Sequence, residues 1–346
     1  MNEQIGVWFP TVKTNTGTDA FTERLVYGLR NNGIRAEITW LPLRAEYAPW
    51  TVPIPKPPGW ATIAHVNTWL HSRFLPRNLP LVATLHHSIH DPSLRPYKGF
   101  LRAAYHNYWI APNERRVMKR ADRVVAVSHF AERIARETLI DLPMEVILNG
   151  VDTQRFRPRH GKLSPHQPFR LLYVGSWMTR KGVDLLAPIM AELGHGYELR
   201  YTGGPPSERA KQSMPENMYD LGRLQSENAV ISTMQDADAL LLPSRSEGLP
   251  LCVLEAMACG LPTIATCGSS LQELIEEGKT GSLCEQDSVQ DFAKAIRNLA
   301  EIPELWKKIS DSSSRFATQY YSLEKMIEAY MTCYRFAGHD GRQETL

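Results

Sequence analysis

A chain of 346 residues that is 43% hydrophobic and 22% charged has room for two ordinary domains with sizeable cores, which excludes a disordered or low-complexity protein. The net charge is only +2, and no apolar stretch approaches the ~18 residues that a bilayer-spanning helix needs. Five cysteines, at 252, 259, 267, 284 and 333, are odd in number and lack paired spacing, so free thiols in a reducing, cytoplasmic setting are expected over a disulfide frame or a zinc site.

Met1 leads directly into a strand-like segment, Ile5-Gly6-Val7-Trp8-Phe9, so no signal peptide is expected. Strands are expected at 5–10, 36–42, 61–67, 80–87, 122–128 and 144–149. Helices are expected at 18–32, closed by Gly33, and at 103–120 and 129–138. Residues 151–168, rich in Pro, His, Arg and Gln, have the composition of an interdomain linker. A second series follows, with strands at 170–175, 197–202, 239–243 and 262–266 and helices near 181–193, 250–259, 269–277 and 288–300. The tail from about 303 is helical. Alternation of this kind predicts an α/β protein with two Rossmann-like domains, 1–160 and 165–320. Ligands of such sheets bind outside the carboxyl ends of the strands, here in the cleft across which the domains are expected to face.

Charge is uneven along the chain. Residues 1–150 carry +6 and the remainder −4. Much of the excess lies in 95–123, as Arg95, Lys98, Arg102, Arg115, Arg116, Lys119, Arg120 and Arg123, interleaved with Tyr97, Phe100, Tyr105, Tyr108 and Trp109. Such a stretch suits an anionic membrane surface or a phosphate-bearing acceptor, and equally a solvated helix face beside an aromatic stripe. No recognition motif supports nucleic acid.

The segment from Ser246 to Gly260 concentrates the chemistry. Glu247 lies in a strand-to-helix loop after the apolar run Ala239-Leu240-Leu241-Leu242, and Glu255 lies within the helix that follows. Pro250 is suited to the first helical position and Gly260 to the stop. The free amides of the helix start can take a phosphate, with a carboxylate on either side for hydroxyls, as in a nucleotide-sugar. Two solvated glutamates are the simpler alternative, made less attractive by the apolar helix around Glu255. Arg180-Lys181, also between strand and helix, place two cations at a positive helix end, which calls for an anion.

Several segments then coincide in order: Ala121-Asp122-Arg123-Val124-Val125-Ala126-Val127-Ser128, Val146-Ile147-Leu148-Asn149-Gly150-Val151-Asp152, Tyr173-Val174-Gly175-Ser176 before Arg180-Lys181-Gly182, and the Glu247–Glu255 pair running into Ala256-Met257-Ala258-Cys259-Gly260. Together they resemble family 4 of the retaining glycosyltransferases, which adopt the GT-B fold. The resemblance implies that Arg180 and Lys181 bind a donor diphosphate, that Glu255 accepts from ribose hydroxyls, and that Glu247 contacts the donor sugar. The backbone amides of Gly248 and Leu249 would face phosphate. It also implies that His86, which ends the fourth strand, orients donor or acceptor. Where the family has a Gly-Gly loop this chain has Asn15-Thr16-Gly17-Thr18, so Gly17 alone is kept. Arg223 is placed near the donor base. A C-terminal helix at about 322–337 is expected to pack back on the first domain, which would hold the acceptor.

His86, His87 and His90 share one loop and also fit a metal site, though no further ligand cluster joins them. Asp236-Ala237-Asp238 matches a manganese-binding pattern of another fold, but as the end of a helix before a strand it reads as structural. Patterns for dehydrogenases, kinases, zincins and serine hydrolases are absent. The expectation is a metal-independent retaining glycosyltransferase without cofactor, using a UDP-, GDP- or other nucleoside-diphosphate sugar and a glycan or lipid-linked acceptor, at the inner membrane face. A nucleotide-sugar epimerase or hydrolase of the same fold is one alternative, and a non-catalytic polyanion- or membrane-binding module is another.

Overall fold

A computed structural model describes residues 5–204, 211 and 214–340 and divides the chain into two units: residues up to Asn149 together with those from Leu323 onward, and Gly150–Ser322.

In the first unit, β1 (Gly6–Val12), β2 (Arg35–Leu41), β3 (Ile63–Asn67), β4 (Leu81–Leu85), β5 (Arg123–Ala126) and β6 (Glu145–Val146) form one sheet. All neighbours are parallel, in the order β2-β1-β3-β4-β5-β6. Every residue of β1, β3 and β4 is buried, which is why these strands are mostly apolar. Strand order reverses between β1 and β3, and the loops leaving those strands flank the crevice typical of such sheets.

The helices of this unit are α1 (Gly17–Asn31), the single turn α2 (Arg44–Tyr47), α3 (Phe100–Tyr105), α4 (Ala111–Arg120) and α5 (His129–Thr138). Gly33, at φ +76°, ends α1 as expected. The helix expected at 103–120 is interrupted by a π turn, His106–Ile110, because Pro112 has no N–H to give to the carbonyl four residues back. Trp109 Nε1 donates to the Glu46 carbonyl at 2.9 Å and the Tyr105 hydroxyl to the Glu46 carboxylate at 3.0 Å, which fastens α2 to this segment.

In the second unit, β7 (Phe169–Tyr173), β8 (Tyr197–Tyr201), β9 (Met218–Asp220), β10 (Ala239–Leu242), β11 (Thr263–Thr266) and β12 (Gly281–Cys284) are again all parallel. Their order, β12-β11-β10-β7-β8-β9, is the doubly wound one, with its reversal between β7 and β10. The edge strands β9 and β12 escape the sequence reading. Each is three or four residues long and only partly buried, so neither makes an apolar run. The helices are α6 (Val183–Leu193), α7 (Glu227–Asp236), α8 (Leu251–Ala258), α9 (Leu271–Leu274), α10 (Val289–Glu301) and α11 (Pro303–Tyr320). The helix expected at 269–277 shrinks to α9, because Ser269 takes a φ of +52° and Ile275 is extended.

The stretch 151–168 is not a free linker. Phe156 is fully buried, and Asp238, with no exposed surface, accepts from His166 N at 3.0 Å, His166 Nδ1 at 2.8 Å and Arg170 N at 2.8 Å. Lys162 Nζ stands 3.0 Å from the same carboxylate, and Trp306 Nε1 donates to the Asp238 carbonyl at 2.8 Å. Asp236 pairs with Arg170 and Arg200. The Asp-Ala-Asp pattern is thus structural, as its position before β10 implied.

The C-terminal helix α12 (Leu323–Asp340) belongs to the first unit. Its Tyr334 hydroxyl meets His65 Nδ1 at 2.6 Å, His65 Nε2 meets Thr84 Oγ1 at 2.7 Å, and the Tyr330 hydroxyl meets Thr84 Oγ1 at 3.1 Å. Burial, with His86 nearby, pulls the His65 imidazole down to about 3 and keeps it neutral. Gly28 of α1 is where α12 comes close: a Cβ there would stand 2.4 Å from Ile327.

Candidate functional site

The loop from β10 to α8 carries Glu247. Pro250 is extended and caps α8, so the helix begins at Leu251, one residue later than expected, and Gly260 ends it at φ +69°. Glu255 is the fifth helical residue, buried to 8% exposure among Val253, Leu254, Ala256 and Met257. Gly248 and Leu249 complete the loop, Leu249 being buried.

From the neighbouring strand β7, the chain makes a 3-10 turn, Thr179–Lys181, before α6. This turn and the Glu247 loop therefore leave the two strands at which the sheet order reverses. Lys181 Nζ lies 2.5 Å from Glu247 Oε1, and Arg180 Nη1 lies 3.8 Å from Oε2 while donating to the Ser246 carbonyl at 2.6 Å. Ser244 Oγ donates to Glu247 Oε1 at 2.6 Å. The loop after β11 clamps the Glu247 backbone: its N–H donates to Ser269 Oγ and its carbonyl accepts from Ser270 Oγ, both at 3.1 Å. The anion that Arg180 and Lys181 call for is therefore, in this state, Glu247 itself.

Arg245 fixes the two loops to each other. Its guanidinium is almost wholly buried, forks onto the Asp184 carboxylate at 2.7 and 2.8 Å, reaches Asp287 at 2.7 Å and donates to the Thr179 carbonyl. Between Lys181 and α6, Gly182 adopts φ +67°, and a Cβ there would lie 1.9 Å from the Pro243 carbonyl oxygen. Gly182→Ala is accordingly expected to destabilise the second unit by at least about 2 kcal/mol, seen as a lowered Tm. An unchanged Tm would mean that the two loops separate freely.

In the first unit, His86 directly follows β4. Its Nε2 lies 2.8 Å from Asn67 Oδ1, and its ring meets Phe21 edge-on at 4.6 Å between centroids. Burial holds the imidazole at about 3, hence neutral. His90 has a separate partner, Glu114, at 3.0 Å, and Thr68 donates to the other oxygen of that carboxylate at 3.0 Å. The histidine loop is thus divided between two polar partners. Among the described residues no three His, Cys, Asp or Glu side chains gather as metal ligands. Gly17 opens α1, and a Cβ on it would meet nothing within 4 Å, so packing does not demand glycine there. The positive φ of that loop falls on Asn15, at +57°, and Asp19 gathers it by accepting from Thr14 N at 3.0 Å and Asn15 N at 2.6 Å. Arg223 is exposed in the segment after β9.

The structure thus brings Arg180, Lys181 and Glu247 into contact, with Glu255 on the helix that the same loop starts. His86 and Gly17 lie in the other unit. Ser244, Arg245, Ser269, Ser270, Asp19 and Asn67 escaped the sequence reading. Only Ser244 and Arg245 had a signal, as polar residues between an apolar strand and the glutamate.

Residues 168–301 match the family model of glycosyl transferases group 1, and residues 54–155 that of glycosyltransferase family 4. The chain belongs to the group 1 glycosyltransferases. Its two parallel α/β units are of the GT-B type. An uncharacterised glycosyltransferase of Haemophilus influenzae is 31% identical over 176 residues, 49% of this chain and 50% of that protein. A putative colanic acid biosynthesis glycosyltransferase of Salmonella typhimurium is 28% identical over 206 residues, 55% of this chain and 50% of that one. The matched region thus spans about half the length of these curated relatives. The Anabaena HepE structure in complex with UDP-glucose superposes with a TM-score of 0.71 at 15% identity, covering 95% of this chain and 99% of that one.

The protonation state of Glu247 follows from its neighbours. Burial pushes the carboxyl up, but Lys181 and then Arg180, with hydrogen bonds from Lys181 and Ser244, hold it at about 2, below its ordinary 4.5. A depressed folded-state value stabilises the native state above pH 4.5, and that contribution is lost as the pH falls towards 2. The shift corresponds to about 3 kcal/mol. Between about pH 5 and pH 2, urea unfolding of the unsubstituted protein is expected to lose that much more stability than Glu247→Gln does. Parallel pH curves for the two proteins would refute the pairing.

Proposed function

We propose that this protein is a retaining glycosyltransferase that moves a sugar from a nucleoside-diphosphate donor to a glycan or lipid-linked acceptor in surface polysaccharide or glycolipid assembly. The observation that carries the proposal is the Arg180–Lys181–Glu247 contact at the strand reversal of the second sheet, beside the start of α8. Two cations against one carboxylate leave a net positive charge next to the N-terminus of α8, a suitable seat for a diphosphate. When the diphosphate enters, Lys181 turns to it and Glu247 is released to accept from sugar hydroxyls. Glu255, one turn along α8, is offered to the ribose.

In the proposed reaction the bond from the anomeric carbon to the diphosphate oxygen breaks, and the acceptor oxygen bonds to that carbon on the same face. The acceptor proton passes to the departing oxygen. Arg180, Lys181 and the loop amides stabilise the charge that builds there, a role a metal plays elsewhere. His86, a neutral group at the end of a first-unit strand, is proposed to orient the donor sugar or the acceptor. The Anabaena structure, with UDP-glucose bound, supports a nucleotide-sugar, and the Salmonella relative supports a polysaccharide setting.

A thermal-shift screen of UDP-, GDP- and ADP-sugars tests donor binding, since a ligand that binds only the native state raises Tm. NMR of the product decides the stereochemistry: an inverted anomer would reject the retaining reaction, and free sugar released without acceptor would point to hydrolysis instead. Among the described residues no helix is long and apolar enough to cross a membrane. Peripheral attachment is proposed through the first unit, where Phe100, Leu101 and Tyr108 are more than 80% exposed beside Lys98 and Arg102. Trp50, 65% exposed, packs edge-on to Trp109 in the same region. Flotation with anionic vesicles is expected to carry the protein at low salt and less at high salt. No flotation at either salt removes the membrane from the proposal.

A further inference from the structure

We infer that Asn67 is a positioning residue that sets the tautomer of His86, with Thr11 setting the orientation of Asn67 in turn. The inference deepens the role proposed for His86 and rests on it for its functional meaning. Asn67 is the last residue of β3, His86 follows β4, and Thr11 lies near the end of β1, so the three stand at the carboxyl ends of three neighbouring strands. Asn67 and Thr11 are buried, at 5% and 3% exposure.

Asn67 Nδ2 donates to Thr11 Oγ1 at 2.9 Å, which turns Oδ1 towards His86, 2.8 Å from Nε2. An amide oxygen can only accept. The His86 proton therefore sits on Nε2, and Nδ1 carries a lone pair. Phe21, packed edge-on at 4.6 Å, backs the ring, and Tyr330 of α12 backs Phe21 at 6.0 Å between centroids. The titratable neighbour, His65, is itself neutral and tied to Tyr334 and Thr84. His86 thus presents one hydrogen-bond acceptor and no charge, the property needed to take a hydrogen bond from a sugar hydroxyl.

The contrast within the same loop shows what the amide does. His90 faces a carboxylate, Glu114, and Thr68, next to Asn67 in the chain, supports that carboxylate. Two consecutive residues at the end of β3 thus serve two histidines, one through an amide and one through an acid. A carboxylate at 67 would favour an imidazolium at 86, and the amide does not.

The test is long-range proton–nitrogen correlation NMR on protein labelled with nitrogen-15 in histidine, which reads the tautomer directly and needs no turnover. Expected is a His86 signal protonated at Nε2 and bare at Nδ1. The opposite tautomer in the unsubstituted protein would overturn the inference. Asn67→Asp should raise the His86 titration midpoint by about 1–3 pH units, and Thr11→Val should let the amide rotate and mix the tautomers. A His86 spectrum unchanged in both variants would equally sink it. Where transfer is measurable, Asn67→Asp is expected to shift its pH profile and lower its rate on the order of 10- to 100-fold, whereas a merely structural Asn67 would lower Tm without moving the profile. Absence of transfer with every donor would defeat the proposed function yet leave the tautomer result standing.

Discussion

Glu247→Gln is expected to cut sugar transfer by about 10²- to 10³-fold at saturating donor while the protein stays folded, as judged by initial rates and circular dichroism. The amide keeps the shape of the side chain and can still accept from Ser244 Oγ, 2.6 Å away in the parent protein. What it loses is the charge that balances Lys181, whose side chain is 15% exposed. Lys181 then faces the donor diphosphate without a competing anion. Donor affinity should hold or improve while kcat falls, the pattern of an interaction made chiefly in the transition state. Lys181→Met should do the reverse and raise the donor KM. A Glu247→Gln protein with the parent rate would remove Glu247 from the reaction.

The largest stability effect is expected at the opposite end of β10 from that chemistry. Asp238→Ala should destabilise the second unit by about 3–5 kcal/mol, a fall of roughly 10 °C in Tm. The carboxylate has no exposed surface and receives two backbone N–H groups, His166 Nδ1 and Lys162. Its removal leaves those donors facing a cavity, and Lys162 at 14% exposure has little water to turn to. Asp236→Ala is the control. That side chain is 32% exposed, and its arginine partners can be solvated, so about 1 kcal/mol or less is expected. Equal losses in the two variants would show that burial does not distinguish these aspartates.

Much of the architecture was legible because buried parallel strands are largely apolar. Residues 239–242, Ala-Leu-Leu-Leu, show this directly, every position being buried. The edge strand Met218–Asp220 was not legible, since two of its three residues are exposed and carry no apolar pattern. The stretch 151–168 misled for a related reason. Its polar composition resembles a solvated linker, yet its polar groups are spent on Asp238, some seventy positions away in sequence. In the site, Arg180, Lys181 and Glu247 could be named from short spacings and the family resemblance. Their mutual ion pair could not, because it joins residues 66 apart. Asn67 was missed because a polar residue at the end of a buried strand has no periodicity to betray it.

The helix α12 gives the first unit a delayed completion. His65 and Thr84 are made early, but the tyrosine hydroxyls that satisfy them, on Tyr334 and Tyr330, lie beyond the whole of the second unit in the chain. During synthesis the first sheet therefore leaves the ribosome with a buried-to-be histidine still uncovered, while the second unit can close on its own contiguous segment. The half of the protein that begins first is the half that finishes last, and a chain halted before Leu323 would hold a folded second unit beside an unfinished first.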